Sequence, residues 1–265
     1  MKKYTRFVPR VRSSQGRNGS HYGLMKGNFY PFRSIVRFGS QTKFRNEHML
    51  GRIEVNSIEG IQNSSNKMKM KNIFQQAGIK STKFFNPVEC AELPAGLKFP
   101  VVAKLCYRSG GKGMIKIDNQ EQYDTFRATK LQSVHRRTNP YYCEEYVNCK
   151  REYRIHVSNI GNDELFSVRK LVNEDVPKEK QWIKSIANGA FVEDFDKPTQ
   201  WPAMVSECKK ALKAIKLDIG CFDVKYKKTD GSFYLLEVNS SPAMGEKTKA
   251  IYITEIDRIL KQKHQ

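Results

Sequence analysis

The apolar positions of this chain recur with two periods, and the alternation between them predicts its elements. Pro100-Val101-Val102-Ala103-Lys104-Leu105 is almost continuously apolar, as a strand buried on both faces is. It runs into Ser109-Gly110-Gly111-Lys112-Gly113, and apolar residues resume from Met114 to Ile117, so two strands joined by a glycine tip are predicted. From Ser64, helical spacing takes over through Met70, Ile73, Phe74 and Ala77, with Ser65 as cap and Gly78 as stop. The clearest helical face is Trp201, Met204, Val205, Cys208, Ala211, Leu212 and Ile215, with Pro202 near its start. Tyr141 to Val147, Tyr153 to Val157 and Leu165 to Val172 read as strands. Cys221 to Tyr226 and Phe233 to Asn239 flank the turn Thr229-Asp230-Gly231-Ser232 and predict an antiparallel hairpin, followed by an amphipathic helix from about Thr248 with Ile256, Ile259 and Leu260. The first 30 or so residues lack periodicity and read as a loose arm entering a small element at Ile35-Val36.

Composition narrows the function classes. At 39% hydrophobic residues, 265 positions can bury a sizeable core, which excludes disorder throughout. No apolar run approaches the roughly 20 residues of a membrane span, and Met1-Lys2-Lys3-Tyr4-Thr5-Arg6 lacks a signal-peptide core. A soluble, cytoplasmic protein with no membrane partner is expected. The six cysteines form no CxxC pair and read as reduced structural thiols. Net charge is +20, and residues 1–52 hold twelve Lys or Arg against Glu47 alone, so +11 sits in that segment. Coulomb attraction would draw nucleic acid, an acidic protein or a polyanionic substrate equally, and a solvated leader has the same composition.

The candidate chemistry begins in the hairpin. Strand alternation places Glu237 and Asn239 on one face, with Leu236 and Val238 on the other. Counting outward from Asp230 sets Asp223 opposite Glu237. Carboxylates so opposed lie roughly 4.5–5.5 Å apart at Cβ and repel unless a cation separates them. Two carboxylates and an amide oxygen suit Mg²⁺, or Mn²⁺ in its place, with phosphates completing the shell. Taken alone, they are equally ordinary strand residues paired with Lys225 or Lys247. Lys67 at a helix start, Lys104 in a buried strand and the loop Gly110-Gly111-Lys112-Gly113 supply the cations and close-approaching amides that polyphosphate needs. The loop is not a Walker A motif and, by itself, is equally a flexible hairpin tip. An adenine ring could lie along Glu144-Glu145-Tyr146-Val147, with Glu152 accepting from ribose hydroxyls.

In this order the segments resemble the ATP-grasp carboxylate-amine ligases, and within them the RimK-like group that adds glutamate to a ribosomal protein. The resemblance covers roughly residues 56 to 250. Asn56-Ser57 and Asn66-Lys67 are similar to that family's helix-opening phosphate lysine, and Val102-Ala103-Lys104 with the glycine loop to its second nucleotide lysine and mobile loop. Glu144-Glu145-Tyr146-Val147 resembles its adenine-touching hinge strand. Arg151-Glu152-Tyr153-Arg154 resembles the next segment, implying Glu152 at the ribose and Arg154 near the transferred phosphate. Gly220-Cys221-Phe222-Asp223-Val224 and Leu236-Glu237-Val238-Asn239-Ser240-Ser241-Pro242 match best and carry the implied metal residues Asp223, Glu237 and Asn239.

The resemblance implies an α+β ATP-grasp fold of two lobes clamping ATP, at 56–143 and 144–265, behind a basic arm and reduced element at 1–55. It implies ATP and Mg²⁺ as cofactors, an acyl-phosphate intermediate, and amide formation between a carboxylate and an amine of an amino acid, peptide or protein. Arg154 and Lys170 are the expected catalytic residues. Where relatives are rich in asparagine and arginine, this chain has Trp182 to Gly189, so Lys170, Lys184 and Asn188 are expected to take over some contacts. Fewer than about 60 residues precede the first helix, too few for a full α/β domain, so the acceptor site would be reduced or supplied by a partner. Two rival functions use the same residues: an ATP-dependent phosphotransferase, and a basic nucleic-acid-binding protein with a vestigial ATP site.

Overall fold

Strict alternation in two neighbouring strands creates the two-faced sheet on which everything else is built. In β8 (Arg151–Ser158) Tyr153, Ile155 and Val157 alternate with Glu152, Arg154 and His156, and in β11 (Ile219–Tyr226) Phe222 and Val224 alternate with Asp223 and Lys225. The two strands pair antiparallel with Asp223 beside Arg154 and Phe222 beside Ile155, so apolar rows share one face and polar rows the other. The computed structural model describes residues 5–9, 34–41, 53–108, 110–132, 138–161 and 163–265.

With β9 (Phe166–Lys170), β10 (Phe191–Val192) and β12 (Phe233–Asn239), these strands form an antiparallel sheet in the order β10-β9-β8-β11-β12. Its apolar face packs on α1 (Ile58–Ser65), α2 (Lys67–Gln76) and α4 (Trp201–Ala214), burying Ile61, Met70, Phe74, Met204, Cys208 and Leu212. A second antiparallel sheet, β4-β7-β5-β6, is built from Phe84–Phe85, Tyr141–Glu145, Val101–Leu105 and Ile115–Ile117. Helix α3 (Gln120–Phe126) covers it through Tyr123 and Phe126. The turn between β5 and β6 holds Gly110, Gly111 and Gly113 at φ of 69°, 73° and 74°, which only glycine adopts freely. Core membership crosses the order of the chain, because α1 and α2 precede the four-stranded sheet and pack on the five-stranded one.

Where one helix was expected from Ser64, there are two. Ser57 caps α1 by accepting from the Gly60 amide, and Asn66 caps α2 by accepting from the Lys69 amide. Asn66 has extended backbone, which breaks the run, and Ser65 is the last residue of α1 instead of a cap. Gly78 ends α2 as predicted, at φ of 61°.

The expectation of a loose arm also needs correction at Thr5–Pro9. That segment, β1, pairs parallel with β2 (Ser34–Phe38), which pairs parallel with β3 (Ile53–Val55). Val36, Phe38 and Val55 pack against Tyr252, Ile256 and Ile259 of α5 (Glu246–His264), a long-range contact that no local period announces. Most of the basic 1–52 segment, and with it the acidic or nucleic-acid partner, lies outside the described residues, as does Ser109 of the glycine loop. The six cysteines are free thiols, and among the described residues no helix is long and apolar enough to cross a membrane.

Candidate active site

The polar face of the five-stranded sheet and the edge of the four-stranded sheet enclose a cavity of about 520 Å³. Into it the fold brings Lys67, Lys104, Gly110, Gly111, Lys112, Glu144, Glu145, Tyr146, Val147, Glu152, Arg154, Lys170, Asp223, Glu237 and Asn239. Of the expected nucleotide, metal and catalytic residues, Gly113 is absent from the lining, as is Asn188 of the 182–189 segment. Gly113 lies against β5, where a Cβ would come 2.8 Å from Leu105. A Cβ on Gly111 would meet Ile183 at 2.4 Å, so the glycine loop closes directly on the 182–189 segment. Helix α2 delivers Lys67 because its first amide donates to the Cys106 carbonyl at 3.1 Å and Met70 Sδ accepts from the Val238 amide at 3.4 Å.

Asp223 and Glu237 are directly opposed, as expected, although the count about Asp230 fails beside the turn, where Tyr226 pairs with Phe233. One residue further the register shifts, Val224 pairing with Leu235, so β12 carries a bulge. Leu235 and Val238 stay in the core while Leu236 joins Glu237 in the cavity, which corrects the expectation that Leu236 shares the face of Val238.

The carboxylates are held by lysines and arginine from other elements, not by Lys225 or Lys247. Asp223 accepts from Arg154 Nε at 3.1 Å and Lys170 Nζ at 2.7 Å, Glu152 accepts from Lys170 at 2.7 Å, and Glu237 pairs with Lys67 at 2.6 Å. Burial opposes ionisation of Asp223, yet Arg154 and Lys170 outweigh it and hold the carboxyl well below its usual range. Glu144, expected at adenine, spends its carboxylate on Lys104, on Lys71 at 3.2 Å and on the Thr82 hydroxyl at 2.8 Å. Glu145 accepts from the Lys83 amide at 2.9 Å. Lys225 instead donates to the Val147 carbonyl at 3.0 Å and stands 5.1 Å over the Tyr146 ring. Lys247 pairs with Glu193.

Eight cationic residues line the cavity (Lys67, Lys104, Arg108, Lys112, Arg154, Lys170, Lys184, Lys225) against five carboxylates (Glu144, Glu145, Glu152, Asp223, Glu237), an excess of three positive charges. Sequence reasoning missed Arg108, Trp182 and Phe191 in this lining; Arg154 stacks over the Phe191 ring at 4.8 Å. Asn188 does not line it, and donates to the Ile183 carbonyl to hold its own turn, whereas Lys184 and Ser185 do. Lys71 gave no signal, since a lysine one turn after Lys67 normally faces water. Lys225 had one, standing two residues from Asp223 on the same strand.

These pairs set the acid side of stability. Burial raises the Glu144 carboxyl, but Lys104 and Lys71 together bring it down from 4.5 to about 2. Burial, with Arg154 nearby, lowers His156 from 6.5 to about 3. In both cases the unfolded chain takes up protons first as pH falls, so the stability each group contributes is present above its unfolded value and is lost towards its folded one. Urea unfolding should therefore show stability falling continuously from pH 6.5 towards pH 3, with the Glu144 share lost below about 4.5. A flat profile across that range would contradict both placements.

The family of the carbamoyl-phosphate synthase L chain ATP binding domain matches residues 62–261. A curated D-alanine–D-alanine ligase of Fusobacterium nucleatum subsp. nucleatum is 28% identical over 187 residues, which are 67% of this chain and 56% of that enzyme. Among solved structures, an L-amino acid ligase from Bacillus licheniformis aligns with a TM-score of 0.56 at 17% identity, over 83% of this chain and 51% of that one. A D-alanine–D-alanine ligase from Bacillus anthracis complexed with ATP aligns with a TM-score of 0.66 at 13% identity, over 99% and 97%. The chain thus spans about half the length of the first two relatives, and the likeness to the solved structures is one of fold.

Proposed function

This chain belongs to the family of the carbamoyl-phosphate synthase L chain ATP-binding domain and has the ATP-grasp fold, and from that premise we propose that it is an ATP-dependent carboxylate-amine ligase. One observation carries the proposal: the opposed Asp223 and Glu237 share a single cavity with Lys67, Lys104, Arg154 and Lys170, with cations in excess. A triphosphate is the substrate portion that such a surplus suits.

The donor set suits a hard divalent cation, being all oxygen: two carboxylates and the Asn239 amide oxygen. The Asn239 amide nitrogen, buried with no hydrogen-bond partner among the described residues, is a donor that a phosphate oxygen would satisfy. Of the expected metal residues, Glu237 and Asn239 would hold Mg²⁺, or Mn²⁺ in its place, beside Asp223, whose two oxygens already accept from Arg154 and Lys170, and the ion would supply charge neutralisation at the phosphates. The chain's own residues do the rest. Lys67 and Lys104 bind phosphate oxygens, Gly110, Gly111 and Lys112 cover them, and Arg154 with Lys170 orients the transferred group. Tyr146, Val147 and Leu236 form an apolar seat for the base, with Glu152 beside the ribose. A substrate carboxylate oxygen bonds to the γ-phosphorus as the bond to the leaving ADP breaks, giving an acyl phosphate. An amine nitrogen then bonds to the acyl carbon, inorganic phosphate leaves, and the ammonium proton passes to solvent.

Within the superfamily, Glu237-Val238-Asn239-Ser240-Ser241-Pro242 supports the RimK-like group, with an amino acid, peptide or protein as the amine partner and a cytoplasmic setting. Lobes at 56–143 and 144–265, with α1 and α2 of the first packed on the sheet of the second, would clamp ATP between them.

Binding is tested first by thermal shift. A ligand held only by the folded chain stabilises it by about 2.7 kcal/mol at a hundred times its Kd, which is roughly 5–10 °C at this size. Millimolar MgATP that leaves the melting temperature of folded protein unchanged would sink the nucleotide site. Turnover is then screened across amino acids, peptides and proteins for ADP release, with mass analysis of the product. A new amide supports the ligase, whereas a stable phosphorylated product would make the chain a phosphotransferase.

A further inference from the structure

Two kinds of cation meet the carboxylates of this cavity, and they are fixed very differently. Lys67 pairs with Glu237 from the first residue of α2, with 15% of its side chain exposed. Such a side chain can turn from the carboxylate to a phosphate when another cation arrives at Glu237. Lys170 is built into the sheet. It is 3% exposed, Glu152 lies beside it in the β8–β9 register, and its ammonium sits 2.7 Å from both Glu152 and Asp223. The other Asp223 oxygen accepts from Arg154, its register neighbour across β8 and β11. Glu152, Lys170, Asp223 and Arg154 therefore form a quartet across three adjacent strands with no net charge.

Resting on the ATP-binding function proposed above, we propose that Lys170 is a built-in cation standing where a metal ion would otherwise sit, so that the site takes one divalent cation, at Glu237 and Asn239. Divalent ions at nucleotide sites use one or two carboxylates together with the phosphates. With Glu152 and Asp223 already neutralised, Glu237, on the next strand β12, is the one carboxylate of the five-stranded sheet in the cavity lining, among the described residues, whose partner is displaceable. A second ion near Asp223 would meet the Lys170 ammonium and the Arg154 guanidinium at close range, where like charges repel strongly.

The test counts Mn²⁺ by electron paramagnetic resonance on the full chain, with a non-hydrolysable ATP analogue bound and nucleotide binding followed in parallel by thermal shift. One Mn²⁺ per bound nucleotide is expected for the unaltered protein and for Lys170→Arg, which keeps the charge. Lys170→Gln should admit a second ion, or tighten its binding at least tenfold. Two ions of similar affinity on the unaltered protein overturn the inference, as does a folded, nucleotide-binding Lys170→Gln that still takes one. Should that variant fail to fold, the counts on the unaltered protein and on Lys170→Arg decide. A thermal shift accompanied by two ions defeats this inference alone, while no shift at any Mn²⁺ concentration defeats the ATP-binding function and this inference with it.

Discussion

Glu144→Leu should destabilise the chain by about 3–5 kcal/mol, because it strips the shared counterion from two buried lysines. Lys71 is fully buried on α2, with the Thr82 hydroxyl at 2.5 Å and the Leu235 carbonyl at 3.2 Å as its other partners, and Lys104 pairs with the same carboxylate. Burial disfavours the charged form of each lysine, and Glu144 is what opposes it. Without it, one or both must lose a proton or draw in water. A loss of that size lowers the melting temperature by on the order of 10 °C in a domain of this length. Glu145→Leu, next in the strand, removes one hydrogen bond to the Lys83 amide and should cost about 1 kcal/mol. Adding Lys71→Met to Glu144→Leu should restore part of the stability, since it removes one of the stranded charges. Urea melts of the three variants decide the matter: equal losses at 144 and 145, or a double variant less stable than Glu144→Leu alone, would show that the buried network is not what Glu144 serves.

The second large effect is expected at Glu237→Gln, and it falls on turnover instead of stability. Removing this charge relieves the repulsion between directly opposed carboxylates and leaves Lys67 partly solvated, so the fold should lose little. The proposed metal site loses its displaceable carboxylate, and Mg-dependent ATP turnover should fall about 10²–10³-fold, the size of effect that removal of one charge-stabilising group produces. Freed from Glu237, Lys67 is available to phosphate from the outset, so metal-free ATP should bind at least as tightly as to the unaltered chain. Steady-state rates across a Mg²⁺ series, with calorimetry of ATP in chelator, read both quantities. Undiminished turnover would remove Glu237 from the metal site, and a large drop in melting temperature would mark it as a structural residue.

Local pattern by itself determined more of this site than its modest motifs suggest. The strand alternation that puts Glu152 with Arg154 and Asp223 with Lys225 on one face, the presence of the hairpin, and the glycine loop after β5 are set by backbone periodicity and turn chemistry, which act over a few residues. Counting about Asp230 matches the register only beyond the bulge: beside the turn Tyr226 faces Phe233, and it is the extra residue in β12 that brings Asp223 opposite Glu237. Tertiary structure decided what periodicity does not encode. The bulge that turns Leu236 into the cavity depends on how β12 fits against β11 and the core beneath it, and a one-residue slip of register leaves no mark in composition. Packing of α2 on the five-stranded sheet buries Lys71, which its own helix could not reveal. The partners of Lys170, Arg154, Lys67 and Glu144 lie 18 to 170 residues away, because ion pairs are made by whichever charges the assembled strands bring within reach. Sequence thus marked which residues share the cavity, while only the assembled sheets decided which carboxylates are already neutralised and which one is left for a metal.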